Sequence, residues 1–223
     1  MFPDPAPSRI SVILRHPLVR LALICAVLAL TWYPWLPFPW RMPVVGLFGL
    51  LFVWAETRSL TAMGLQRQST RASLLWAVLL FAIVIGPIVE LLMPVVNTLV
   101  GAKSDHSAYG ALHGNLPATV RLITYAWLSA AIGEELVFRA FLMHQLHALF
   151  DRFRQGALMA AVVCGVIFGL IHAHQGITGI VMTGVVGTVL SYAYLRSNRN
   201  LYALILAHGL IDTWGVSRLY LGG

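Results

Sequence analysis

The chain has 223 residues, of which 59% are hydrophobic and only 10% are charged. A mean hydropathy of +0.80 is far too apolar for a soluble domain and indicates a polytopic membrane protein. The net charge of +7 does not imply nucleic-acid binding, because the basic residues lie at the edges of apolar runs, where membrane proteins carry them.

Residues 1–16 are expected to form a mobile tail ahead of a first apolar span at about 18–30. Arg9, Arg15 and Arg20 precede and enter that span. The stretch from Trp32 to Trp40 alternates aromatics with Pro34, Pro37 and Pro39, which excludes a regular helix and suits an interfacial turn. A second span is expected at about 42–55, followed by a polar loop from Glu56 to Arg71. The third, at about 72–100, is long for one crossing; Pro87 and Pro94 should kink it, with Glu90 between them. A polar loop carries Lys103, Asp105, His106 and His113. A fourth helical stretch runs from about 118 to 150, with a possible break at Gly133. Spans at about 157–173, 177–195 and 201–216 complete an all-α transmembrane helix bundle of about seven crossings (six to eight by the boundaries). The whole chain reads as one integral-membrane domain, with a motif-bearing core at 118–216.

Several smaller features follow from residue type and position. Gly165 and Gly169 form a GxxxG step, and Gly176, Gly179, Gly184 and Gly187 thin the sixth span, as tight helix packing requires. Cys25 and Cys164 read as buried apolar groups outside any disulfide framework. Arginines cluster at the N-terminus, the 58–71 loop, the 152–154 turn and the 196–199 turn. The positive-inside rule therefore puts the N-terminus in the cytoplasm, in what is expected to be a bacterial inner membrane.

Charge is concentrated at Glu134, Glu135 and Arg139, inside an otherwise apolar run. Ionisable groups at membrane depth mark functional sites. Glu135 and Arg139 are four apart, with the acid first, the favourable order for a helical pair. Glu134 points about 100° away from Glu135, leaving one carboxylate free to face a cavity. Phe168 and His172 are four apart on the fifth span, and His208 and Asp212 are four apart on the seventh. Asp212 could fix the tautomer of His208, or both could face a common ligand. Eighteen residues separate Glu134 from Arg152, and His172 from Arg154, about 27 Å of helix in each case. The two groups should thus lie at similar depth.

Glu134-Glu135-xxx-Arg139, Phe168-xxx-His172 and His208-xxx-Asp212, in this order on three apolar segments, resemble the CPBP family of intramembrane endopeptidases (CAAX protease and bacteriocin-processing). The resemblance covers residues 118–214. It implies a glutamic-type membrane protease. Glu134 would be the general base and His172 its partner. His208 and Asp212 would support the oxyanion or the water, and Glu135 and Arg139 would shape the site. It also implies a membrane-associated protein or peptide as substrate and no metal cofactor, although two histidines and the carboxylates could ligate zinc; the HExxH zincin signature is absent. Against this stands a transporter or proton relay using the same Glu and His groups, which lacks the support of an inverted repeat. Each group also has a structural reading: a kink-bracing ion pair, an interfacial His172, a buried His208–Asp212 pair. His144, His147, His106 and His113 read as solvated, and His174 as a turn residue facing away from His172.

Overall fold

A computed structural model describes residues 9–222. All the regular elements among them are helices: α1 (Arg9–Arg15), α2 (Pro17–Trp32), α3 (Arg41–Thr57), α4 (Thr70–Ile83), α5 (Met93–Val100), α6 (Leu116–Ala126), α7 (Met143–Phe150), α8 (Gly156–Ile171), α9 (Gly176–Arg196) and α10 (Leu201–Leu221). The architecture is the helical membrane bundle expected. Two segments, Thr70–Val100 and Ala173–Arg196, are long and apolar enough to cross a bilayer, and α1 with α2, bent by 79°, forms a third candidate.

Three of the helices begin where side-chain acceptors cap them. The Ser69 hydroxyl accepts from the Ala72 N–H at the start of α4, and the Asn115 amide oxygen accepts from the Ala118 N–H at the start of α6. The Asn200 oxygen accepts from the Ala203 N–H, while its amide nitrogen donates to Ser73 Oγ, tying α10 to α4. Such caps replace part of the hydrogen bonding that a first turn cannot supply internally.

The expected mobile tail, residues 1–16, falls only partly within the described residues. Its first eight residues lie outside them, and residues 9–15 are helix α1, which packs on α3. The third span is continuous. Pro87 sits in a π-helical turn, Val84–Leu92, which joins α4 to α5 and absorbs the proline without ending the helix.

The expected break at Gly133 is likewise no break. Between α6 and α7 the chain makes two π-helical turns, Trp127–Glu134 and Leu136–Leu142, with Glu135 between them. The wider turn shifts the facing of successive side chains and recurs at functional sites. Gly133 serves helix contact instead. A Cβ there would stand 2.6 Å from the Pro43 nitrogen and 2.8 Å from the Met42 carbonyl carbon. Helix α3 thus lies backbone to backbone against the acidic segment, and Gly46 makes the reciprocal close approach to Leu136. On the far side, α8 and α9 form an antiparallel hairpin in which Gly165 and Gly169 face Thr188, Ile180 and Gly184. The core runs between these layers, through Val45, Val137, Phe138, Phe141, Phe168, Leu190 and Leu204.

A second polar cluster lies deep between α2, α3 and α7. The Arg20 guanidinium donates to both Glu56 oxygens and to Gln145 Oε1, and His144 Nε2 stands 3.2 Å from Glu56 Oε2. Arg20, Glu56 and Gln145 are all buried. Two expectations are corrected here. Glu56 belongs to the buried end of α3 rather than to an aqueous loop, and His144 is a network member rather than a solvated group. Cys25 also departs from expectation: it is exposed on α2, while Cys164 is buried with its thiol directed at the Phe138 carbonyl.

Candidate active site

The Glu135 carboxylate and the Arg139 guanidinium are fully buried and paired at 2.9 Å. Burying two charges is costly, and the pairing together with further hydrogen bonds offsets much of that cost. Arg139 Nη2 also donates to the Gly187 carbonyl of α9 at 3.4 Å, and its guanidinium lies 4.9 Å from the centre of the Phe168 ring. Phe168 is the hub of the arrangement. Its ring meets Phe138 edge-on at 5.0 Å, His172 at 4.8 Å and His208 edge-on at 6.1 Å. The Phe168-xxx-His172 spacing therefore has two purposes: the phenyl wedges the ion pair against the histidines, and one turn later the imidazole follows on the same face.

His208 is held from behind by Glu135. Its Nδ1 lies 2.7 Å from Glu135 Oε1, the same oxygen that accepts from Arg139. A carboxylate paired with arginine is an acceptor, so Nδ1 carries the proton and Nε2 turns to the other side of the ring. There Nε2 stands 3.7 Å from Asp212 Oδ2 and 4.0 Å from Glu134 Oε2. The partner that fixes the tautomer of His208 is thus Glu135, with Asp212 on the opposite edge. His172, at the C-terminal end of α8, donates from Nδ1 to the Phe168 carbonyl at 2.8 Å. A carbonyl has no proton to give, so the remaining nitrogen, Nε2, is the one available for chemistry.

Glu134, His172, His208 and Asp212 line one cavity of about 860 Å³, within the size range of ligand sites. The Glu134 Oε2 atom is buried there without a hydrogen-bond partner. Among the described residues no direct bond joins Glu134 to His172; the two share the cavity wall. Glu135 and Arg139 lie behind it. Three segments far apart in sequence bring these groups together, and Val84, Val89, Ile171, Met182 and Ile211 supply part of an apolar wall. Among the described residues no three His, Cys, Asp or Glu side chains converge as a metal-binding set.

Other cavity residues were not legible from spacing. The loop after α5 folds over one end of the cavity, where Ser104, His106 and Tyr109 line it. It is tied down by Gln175, whose side chain donates to the Tyr109 hydroxyl at 2.7 Å and whose carbonyl accepts from the Asp105 N–H at 3.0 Å. The Ser107 N–H donates to Asp105 at 2.8 Å, which holds that exposed carboxyl below its ordinary range. His174 also lines the cavity and lies 6.0 Å from the His172 ring. Helix α8 ends at Ile171, so the helical phase that would have turned His174 away no longer applies. Glu90 meets Arg218 of α10 at 3.6 Å and is not among the residues lining the cavity.

Residues 116–214 match the family model described as type II CAAX prenyl endopeptidase Rce1-like. That stretch includes all six of Glu134, Glu135, Arg139, His172, His208 and Asp212. No curated protein and no solved structure matches the chain. An integral-membrane helical bundle and an endopeptidase family model thus fall on the same residues, and a family of this kind acts as a hydrolase on membrane-associated peptides or proteins. The match over residues 116–214 to a type II CAAX prenyl endopeptidase Rce1-like domain is consistent with the CAAX-protease family that the motifs resemble.

Proposed function

We propose that this protein hydrolyses a peptide bond in a membrane-associated substrate by a glutamic-type mechanism. Glu134 acts as general base on a water held in the cavity. The observation that carries this reading is the Glu134 Oε2 atom, buried, without a hydrogen-bond partner and 4.0 Å from His208 Nε2. A water between them and Asp212 would meet one acceptor on each side and one imidazole nitrogen. Glu134 takes a proton from that water, and the oxygen attacks the scissile carbonyl carbon. As the carbonyl oxygen gains charge, His208 in its imidazolium form, with Nδ1–H on Glu135, donates its Nε2–H to it, a type of contact worth about 3 kcal/mol in the transition state. The proton on Glu134 then passes to the departing amine. Asp212, an acceptor when ionised, acts on the water and on His208 rather than on the oxyanion. Glu135, Arg139 and Phe168 hold the His208 ring in place.

The reaction needs no metal in this reading. The test is hydrolysis by purified protein before and after treatment with a strong chelator, alongside the His172→Ala and His208→Ala variants. Activity should survive the chelator and fall by at least about 100-fold in either variant, the scale of losing an acid–base or oxyanion group. Loss with the chelator and return with zinc would replace the metal-free mechanism with a zinc-dependent one. Full activity in both histidine variants would remove the site from the reaction.

A further inference from the structure

The cavity holds a hydroxyl that the chemistry above does not use. Tyr109 lines it from the loop after α5. Gln175 Nε2 donates to the Tyr109 hydroxyl oxygen at 2.7 Å. The oxygen is the acceptor in that bond, so its own proton is left to point elsewhere. Among the described residues no acceptor takes it. The other hydroxyls at this cavity differ. Thr31 and Thr183 spend theirs on the Leu28 and Gly179 carbonyls of their own helices, each at 2.7 Å. The side chains of Ser104 and Ser129 make no hydrogen bond among the described residues, so nothing aims them. Burial raises the Tyr109 phenol above its ordinary range, and the charges of Asp212 and Glu134 raise it further, outweighing the bond from Gln175. The group thus stays a protonated donor, within the field of both cavity carboxylates.

Its position is set through His172. The Gln175 N–H donates to the His172 carbonyl at 2.9 Å, and the Gln175 carbonyl accepts from the Asp105 N–H at 3.0 Å. Gln175 is itself buried, so its amide is a strut from the end of α8 to the phenol. At the start of the loop the Thr178 hydroxyl donates to the Ala102 carbonyl at 2.7 Å, and the His106 ring lies 5.9 Å from that of Tyr109. The groups already assigned give the oxyanion a single donor, His208 Nε2–H. His172 Nδ1 is committed to the Phe168 carbonyl, and Glu134 and Asp212 are acceptors when ionised. Fixed donors aimed at the developing charge act together in a site from which water is excluded. We propose that the Tyr109 O–H donates to the oxygen of the tetrahedral intermediate alongside His208, as a further catalytic residue. The phenol keeps its proton throughout. The oxygen gains its charge as the carbonyl adds water and loses it as the C–N bond breaks and the C=O bond re-forms. This rests on the endopeptidase reading and adds an oxyanion donor to it.

The test uses full-length protein in nanodiscs and apolar decapeptides as substrates. Tyr109→Phe removes the hydroxyl and leaves the ring. The kcat should fall about 100-fold, the scale of one oxyanion donor, with KM changed by less than about threefold. Affinity for a decapeptide carrying a phosphinate in place of the scissile amide should fall by a similar factor, because its charged oxygen stands in for the oxyanion. Binding of the uncleaved decapeptide, read on the Glu134→Gln background, should stay the same. Equal loss of peptide and phosphinate binding would make Tyr109 a brace for the loop and overturn the proposal, as would an undiminished kcat. If Tyr109→Phe does not fold, a ring-difluorinated tyrosine at position 109 keeps the shape and the Gln175 bond while acidifying the phenol. The alkaline limb of kcat should then move to lower pH, and an unmoved limb would overturn the proposal. Absence of cleavage by the unaltered protein would reject the endopeptidase reading, and the phosphinate comparison would then still decide for Tyr109. Full cleavage by Tyr109→Phe would reject the donor alone.

Discussion

Glu134 and Glu135 are neighbours in sequence, yet the structure gives them opposite energetic roles. Glu135→Ala removes the carboxylate that neutralises Arg139 and accepts from His208, and Arg139 would remain fully buried with its charge unpaired. Breaking a buried pair in this way costs about 3–5 kcal/mol, a large part of the 5–15 kcal/mol that typically holds a domain together. At about 1.4 kcal/mol per tenfold, the folded-to-unfolded ratio falls by 100-fold or more. Glu134→Ala removes a carboxylate that borders an existing cavity and breaks no close ion pair, since His208 Nε2 is 4.0 Å from its Oε2. Its expected stability change is within about 1 kcal/mol. Equilibrium unfolding in mild detergent, followed by tryptophan fluorescence, separates the two. The double variant Glu135→Leu with Arg139→Met should recover most of the loss, because it removes both charges together. A Glu135→Ala protein as stable as the parent would refute this reasoning, as would equal destabilisation by Glu134→Ala.

Further outcomes follow from other parts of the fold. Glu56→Ala should cost about 3 kcal/mol by stranding Arg20, while leaving the turnover number of the folded fraction unchanged; a fall in turnover at full folding would mean that the cluster communicates with the site. Gly133→Ala should destabilise by about 1–3 kcal/mol and lower activity in parallel, because the new Cβ meets the α3 backbone; an unchanged melting temperature would contradict the close contact. With Cys25→Ser as background, a cysteine at Lys103 should react with an impermeant maleimide only from outside the cell, as the arginine distribution requires. Labelling only from the cytoplasm would invert the topology.

The motif spacing made most of the candidate site legible, for a physical reason. The pairs Glu135–Arg139, Phe168–His172 and His208–Asp212 each use the i, i+4 relation, and each pair stays in contact in the fold. What spacing could not supply was the pairing between helices. Glu135, rather than Asp212, orients His208, because the two π-helical turns change the facing of the acidic segment. Arg20 and Glu56 sit at the ends of apolar runs, where charge normally meets water, so nothing in their local sequence marked a buried network with Gln145 and His144. Loop residues such as Tyr109 and Gln175 reach the cavity through tertiary contacts that no periodicity encodes. The overall helical class was carried by hydropathy. The continuity of the bent third span depended on a π turn accommodating Pro87.

The central claim is that the Glu134 carboxylate activates the attacking water, and its most direct measurement is cleavage by purified protein in liposomes. Wild type and Glu134→Gln would be compared on one library of apolar decapeptides, with products identified by mass spectrometry in water enriched in oxygen-18. The account predicts cleavage by wild type with one heavy oxygen in the new carboxyl group. It predicts a loss of at least about 100-fold in Glu134→Gln, whose fold should remain intact. Undiminished cleavage by the glutamine variant would contradict the account.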